Sequence, residues 1–490
     1  MSPLVYVVMF GWIPAVLYLF KWLPPQRAAI VSFITAWLFL PQAEFTQLPG
    51  LDYTKMSATC FNVLLAAIVF DTKRFSSFKP SWLDLPILVW CVCPYASSIS
   101  NDLGWYDGLA AVFAQTVTWG LPYFLGRLYL NDLDGLRKLA IGICIGGLLY
   151  IPFCLIELII SPQLHRLVYG FYVRTDFSQT LRYGGYRPTV FMEHGLMVGA
   201  WMMAAALLGV WLWKAGVIKQ IWGIPIKWLV GALLVAVVLV KSTGAWVLLA
   251  MGIVILFSAK SFRTSLLLLV LSIVISFCLS SWILLAMGIV ILFIANRFRA
   301  SVVMLVLLMT ISSYLYVGVT GKFSGDQMVS VVSTVFGEDR AGSLKFRFDN
   351  EKILSDKARQ KMMFGWGGWG RSRVFNEWRK DISVTDSLWI ITFGAQGAVG
   401  VISLTVFMLL PVLGFVLRYP VNLWTNRKVA PAAALAVLLA LYMVDCLLNA
   451  MINPIYTLVC GGITGLLLNQ TRTSKAKGIR LSTAERYLVQ

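Results

Sequence analysis

The chain has 490 residues, of which 59% are hydrophobic and only 13% charged, and it carries a formal net charge of +19. So little charge on so long a chain excludes a soluble globular protein and predicts a polytopic membrane protein. The positive charge lies largely in short connections between apolar runs, where cytoplasmic loops collect Lys and Arg, so it is no nucleic-acid signal.

Apolar runs over 4–20, 28–40, 57–70, 85–97, 109–125 and 139–160 predict a first set of transmembrane helices within residues 1–160. The first run lacks the basic leader and small-residue cleavage site of a signal peptide, and reads as a retained helix. A basic outer loop follows at 161–190, with Arg166, Arg174, Arg182 and Arg187 against Asp176. Runs over 190–212, 228–240, 246–257, 265–279, 282–293 and 302–317 predict a second membrane region, 191–318. Within it, WVLLAMGIVILF at 246–257 recurs as WILLAMGIVILF at 282–293. This reads as a duplicated helical hairpin (about 242–313), which leaves the orientation of everything downstream unchanged. A large loop at 319–385 precedes runs over 388–417, 432–448 and 455–468 in a C-terminal region, 386–470, and a basic tail, 471–490. The expectation is an all-α transmembrane bundle of about 14–15 helices.

Basic clusters at Lys73, Arg74 and Lys79, at Arg127, Arg137 and Lys138, and at Lys214, Lys219 and Lys227 fall on alternate connections. So do Lys260 with Arg263, Arg297 with Arg299, and Arg418 with Arg427 and Lys428. One assignment puts them all in the cytoplasm and both long interruptions outside. The eight cysteines lie in apolar runs without the spacing of a disulfide framework or a zinc site, and read as core residues.

Chemistry is expected in the two interruptions, both net basic. Excess arginine there fits an anionic ligand such as phosphate, or a solvated face meeting lipid headgroups. Gly365, Trp366, Gly367, Gly368, Trp369, Gly370 and Arg371 form one compact stretch. Its glycines permit positive φ and an N–H cradle for an anion, and its tryptophans suit sugar stacking or the lipid interface. It lacks a P-loop ending. Candidate bases are Glu193, His194 and Asp386. A histidine placed like His194 is more often structural than catalytic, and Asp386 also reads as the N-cap of the next helix. Asp445 and Asn449 read as sharing one face of a late helix, either as an ion or proton site or as an interhelical contact.

Arg187-Pro188 entering a helix, Ser242-Thr-Gly-Ala-Trp246 at a boundary, then Arg347, Ala358, Gly365 and Asp386-Ser-Leu388 with Gly394, Gly397 and Gly400 resemble the bacterial O-antigen ligase and polymerase superfamily. The resemblance covers about residues 187–400. It implies a GT-C-like fold and a multi-pass inner-membrane glycosyltransferase with its active site on the periplasmic face. The donor would be a glycan on undecaprenyl pyrophosphate and the acceptor a glycan or lipid hydroxyl, with no cofactor or metal. Membrane lipids and a chain-length regulator are further implied partners. Arg187 and Arg347 would bind pyrophosphate, and Arg371, Gly367, Gly368, Gly370 and Trp369 would shape the same pocket. Where family ligases carry a histidine this chain has Asp386, which favours a polymerase, as of lipopolysaccharide, or a divergent exopolysaccharide enzyme over a ligase. The competing expectation is a transporter or flippase of lipid-linked oligosaccharide, which would show intramembrane charges and interrupted helices.

Overall fold

The computed structural model describes residues 2–46, 52–76, 78–173, 178–258, 300–321, 333, 338–368 and 370–469. Most of the second copy of the duplicated hairpin, the tail 471–490, Arg174, Asp176 and Trp369 lie outside the described residues.

The described chain is mostly helical, with three short two-stranded antiparallel ribbons. Six helices are long and apolar enough to cross a membrane: Pro3–Trp22, Trp82–Ser100, Leu133–Ile160, Gly195–Lys214, Ser301–Thr320 and Leu388–Arg418. Shorter apolar helices, among them Lys55–Phe70, Ile226–Leu239, Thr243–Phe257, Ala430–Cys446 and Pro454–Asn469, pack between them. Proline stands in the first turn of Pro3–Trp22, Pro25–Phe39 and Ala430–Cys446, where its missing N–H has no intrahelical partner to lose. Elsewhere side chains cap the helices. Asp132 accepts from Gly135 N at 2.6 Å, and Thr54 and Ser57 form a reciprocal capping box.

Contacts between connections sort the bundle into two ends. At one end Ser2 N donates to the Tyr169 carbonyl (3.2 Å), Lys55 Nζ to Phe191 O (2.9 Å) and Asn101 Nδ2 to Gly365 O (2.8 Å). The described parts of both long interruptions gather there. At the opposite end Gln26 Nε2 reaches Tyr129 O (2.8 Å), Trp211 Nε1 reaches Trp424 O (3.2 Å), and Asn469 Nδ2 reaches Asn131 O (3.0 Å). The described basic clusters lie at this second end. There Arg127 forms a buried ion pair with Asp84 at 3.0 Å, and the Tyr123 hydroxyl also donates to Asp84 at 2.8 Å.

The structure departs from the apolar-run reading in three places. The run 109–125 is two helices, Trp105–Gln115 and Leu121–Tyr129, joined by a π turn over Thr116–Gly120. The large loop contains a long polar helix, Glu338–Arg359, which buries Phe348, Leu354 and Ala358 along one side. Leu388–Arg418 is broken at Gly397 (φ +67°), where Ala398 N and Val399 N donate to the Met362 and Met363 carbonyls at 2.7 and 3.2 Å.

Candidate functional site

The first cleft lies at the loop end, where Leu133–Ile160 delivers Glu157 to the base of the first interruption. Its Oε1 accepts from Leu164 N at 2.9 Å, and its Oε2 from Thr189 N and Val190 N at 2.8 and 2.7 Å. Val190 adopts φ +53°, a costly conformation for a β-branched residue, and the carboxylate holds it there. The Tyr150 hydroxyl accepts from Phe191 N (3.2 Å), and buried Lys55 donates to Phe191 O. This scaffold fixes the segment from Arg187 to His194.

Arg187 is 6% exposed and lines the cleft. Its Nη2 donates to Ser242 Oγ at 3.3 Å, and its Nε has no partner. Among the described residues no carboxylate lies within ion-pair distance of it. Burial, and then the positive charge of Arg182, push its pKa down to about 10, so the guanidinium stays charged at neutral pH. Two stretches far apart in sequence, at Arg187 and Ser242, therefore meet at this point.

Both histidines of the chain line the same cleft, and both have their lone pairs engaged. His194 is the N-cap of Gly195–Lys214, its Nδ1 accepting from Leu196 N at 3.0 Å. That leaves Nε2 to carry the proton toward Gln179 Oε1 at 2.9 Å. His165 Nε2 accepts from Gln42 N at 3.1 Å, and Nδ1 faces Phe171 O at 3.0 Å. Burial lowers its pKa. His194 thus serves as a helix cap at the cleft wall, and Glu193, exposed at the rim, is the carboxylate that shares the cleft with Arg187. The free space within the cleft is small, about 50 Å³, so it can take one compact group and not a whole ligand.

A second cleft joins Arg347, Glu351, Asp386 and Ser387. Asn350 Oδ1 accepts from Val384 N at 2.9 Å, which ties the polar helix to the segment ahead of Leu388–Arg418. Asp386 is exposed and does not cap that helix. Ser387 is the N-cap residue, with no side-chain capping bond. Glu351 accepts from the Tyr314 hydroxyl at 2.8 Å. Burial raises its pKa first and the Asp386 charge adds to this, while the Tyr314 hydrogen bond and Arg347 oppose it.

The glycine–tryptophan stretch lines neither cleft. Gly365, Gly367 and Gly370 do take positive φ (+69°, +78° and +71°). Their purpose is close packing: Trp366 N and Gly367 N donate to the Gly394 and Ala395 carbonyls at 2.8 and 3.0 Å, and Gly365 N to Lys361 O at 2.8 Å. Those three N–H groups are not available to cradle an anion. Trp366 donates Nε1 to Lys357 O (2.8 Å), with the Lys357 ammonium 4.3 Å above its ring. Gly368 is exposed, and its carbonyl accepts from Arg371 Nη1 at 3.1 Å. Arg371 also lies 4.0 Å from the Asp107 carboxylate.

Asn449 donates to Asp445 Oδ1 at 2.7 Å, but the helix ends at Cys446, so the two do not share a helical face. The pair is satisfied locally, and the Asn449 carbonyl accepts from Leu388 N. Among the described residues no cluster of His, Cys, Asp or Glu could hold a metal ion.

The resemblance implies that Arg187 and Arg347 bind one pyrophosphate between them, but the two line separate clefts. The structure places Arg187 with Glu193 and His194, and Arg347 with Asp386, in different clefts at the same end. Sequence reasoning missed Glu157, Lys55 and Glu351. Of these, Glu351 left a signal: it stands one helical turn after Arg347, on the same face. No family model, curated protein or solved structure gives a significant match to this chain.

Proposed function

We propose that the chain is an inner-membrane glycosyltransferase that transfers or polymerises an undecaprenyl-diphosphate-linked oligosaccharide at the periplasmic face. The observation that carries this reading is Arg187: a buried, charged guanidinium lining a cleft, with one N–H unpartnered and no described carboxylate within ion-pair distance. Such a group is costly unless an anion completes it. A diphosphate offers the oxygens that a guanidinium fork binds in pairs, and its charge grows as it leaves the sugar. Ser242, held against Arg187, fixes the fork's direction, and Glu157 fixes the backbone behind it.

One feature could favour a transporter, because a broken helix often marks a substrate site. Here the N–H groups freed by the break at Gly397 go to protein carbonyls rather than to a cavity, so that signal is accounted for by packing.

The experiment uses purified protein and the lipid-linked oligosaccharide that accumulates in cells whose own copy is inactivated. Wild type is expected to lengthen or transfer the glycan, and Arg187→Ala to reduce this by about a hundredfold or more. An unchanged glycan with wild-type protein rejects the enzyme. Full turnover by Arg187→Ala rejects the diphosphate contact.

A further inference from the structure

The cleft of Arg347, Glu351, Asp386 and Ser387 has no part in the contact proposed for Arg187, yet its groups are arranged for proton transfer. Glu351 projects from the polar helix Glu338–Arg359, one turn beyond Arg347, and lines the cleft while most of its surface is covered. Tyr314 reaches it from the apolar helix Ala300–Thr320 and hydrogen-bonds its Oε2 at 2.8 Å. Asp386 lines the same cleft from the segment ahead of the next helix. Ser387 is 2% exposed, lines the cleft, and its Oγ has no partner within the protein. A buried hydroxyl left unbonded costs free energy that a bound ligand would recover.

We propose that this cleft holds the acceptor hydroxyl and that Glu351 accepts its proton, with Asp386 as a positioning residue. This rests on reading the chain as a glycosyltransferase from a lipid diphosphate donor, and it requires the donor's anomeric carbon to reach from the Arg187 cleft to this one. In the step, the acceptor O–H proton passes to the Glu351 carboxylate as the acceptor oxygen bonds to the donor's anomeric carbon. The bond from that carbon to the diphosphate oxygen breaks, and the diphosphate leaves with the electron pair. Glu351 then gives the proton to water, so no other reactant is consumed. Ser387 orients the hydroxyl, and Arg347 offers positive charge at the cleft. A carboxylate with raised proton affinity suits a base working near neutral pH, and burial together with Asp386 supplies that rise.

The test uses the full chain in lipid nanodiscs with the same accumulated lipid-linked oligosaccharide. Glu351→Gln is expected to lower transfer by about a hundredfold or more, while the donor still protects the protein from thermal unfolding. Two neighbours should move the acid limb of the pH–rate profile in opposite directions. Tyr314→Phe removes a hydrogen bond that favours the charged carboxylate, so the limb moves to higher pH. Asp386→Asn removes a repelling charge, so the limb moves to lower pH, with peak turnover reduced but measurable. A merely structural role would not produce this opposition. Normal turnover by Glu351→Gln overturns the proposal, as does abolition of transfer by Asp386→Asn alone. Should Glu351→Gln fail to fold, the other two variants decide, and unmoved limbs overturn it. Failure of the broader reading looks different, since wild type itself then makes no product.

Discussion

Glu157 shows how one residue can build a site without touching its ligand. Its two oxygens accept three backbone N–H groups from two separate turns, and Arg187 lies just ahead of one of them. Glu157→Gln keeps the shape but replaces one acceptor oxygen with an amide NH2, a donor that must face a backbone donor. Loss of charge-assisted bonds at a buried position is expected to cost about 2–4 kcal/mol. The melting temperature in detergent should fall, and donor protection should weaken as the Arg187 segment loosens. Unchanged melting with unchanged protection would show that the clamp is dispensable. In sequence Glu157 was only a lone charge inside an apolar run, because its partners are main-chain groups that no residue pattern records. Arg187 and Asp386 were legible, being polar residues in a chain with few. His165 gives a second prediction at this scale. Its pKa is lowered in the fold, so the unfolded chain binds the proton more readily. Stability is fully present above the ordinary histidine range and declines as pH falls through it toward the lowered value. His165→Gln should flatten that part of a melting-temperature curve against pH, and an unaltered slope would assign the acid sensitivity elsewhere.

Among elements, those built from long apolar runs could be read directly: the run 139–160 lies within Leu133–Ile160, and 388–417 almost coincides with Leu388–Arg418. What lay hidden was structure without an apolar period. Half the residues of Glu338–Arg359 are charged and few apolar side chains are buried, so it looked like loop. The break at Gly397 was hidden too, because Gly394, Gly397 and Gly400 fit an uninterrupted helix with a smooth packing face. The three-dimensional reason for Gly397 is double: its φ is +67°, and a Cβ there would meet the Met363 backbone. The break also lets residues 362–367 lie against 394–399 as backbone on backbone, with Ser97 Oγ donating to Ala395 O at 2.8 Å. Gly397→Ala is therefore expected to lose about 3 kcal/mol or more. The folded fraction recovered by size exclusion in detergent measures it. Near-wild-type recovery would mean that the interlock can open without unfolding the bundle.

For the whole molecule the decisive property is polarity from end to end. Both interruptions and both clefts occupy one end, while Lys73, Arg127, Lys219 and Arg427 belong to the other. Charge bias alone proposes which end faces the cytoplasm, and the alternating path of the helices ties the two assignments together. If the basic end is cytoplasmic, the Arg187 and Glu351 clefts must both be external, and a donor presented on the outer leaflet can reach them. The described cysteines are all buried, so a single introduced cysteine can report its side of the membrane with little background. Cysteines replacing Tyr183 and Trp378, both exposed, are expected to react with a membrane-impermeant maleimide in intact spheroplasts. Cysteines replacing Lys73 and Arg427 should react only after the membrane is opened. The reverse pattern would move both clefts to the cytoplasm, where the donor's glycan would have to be presented before export. A mixed pattern, with Tyr183 and Trp378 on opposite sides, would contradict the shared end itself and with it any joint use of the two clefts.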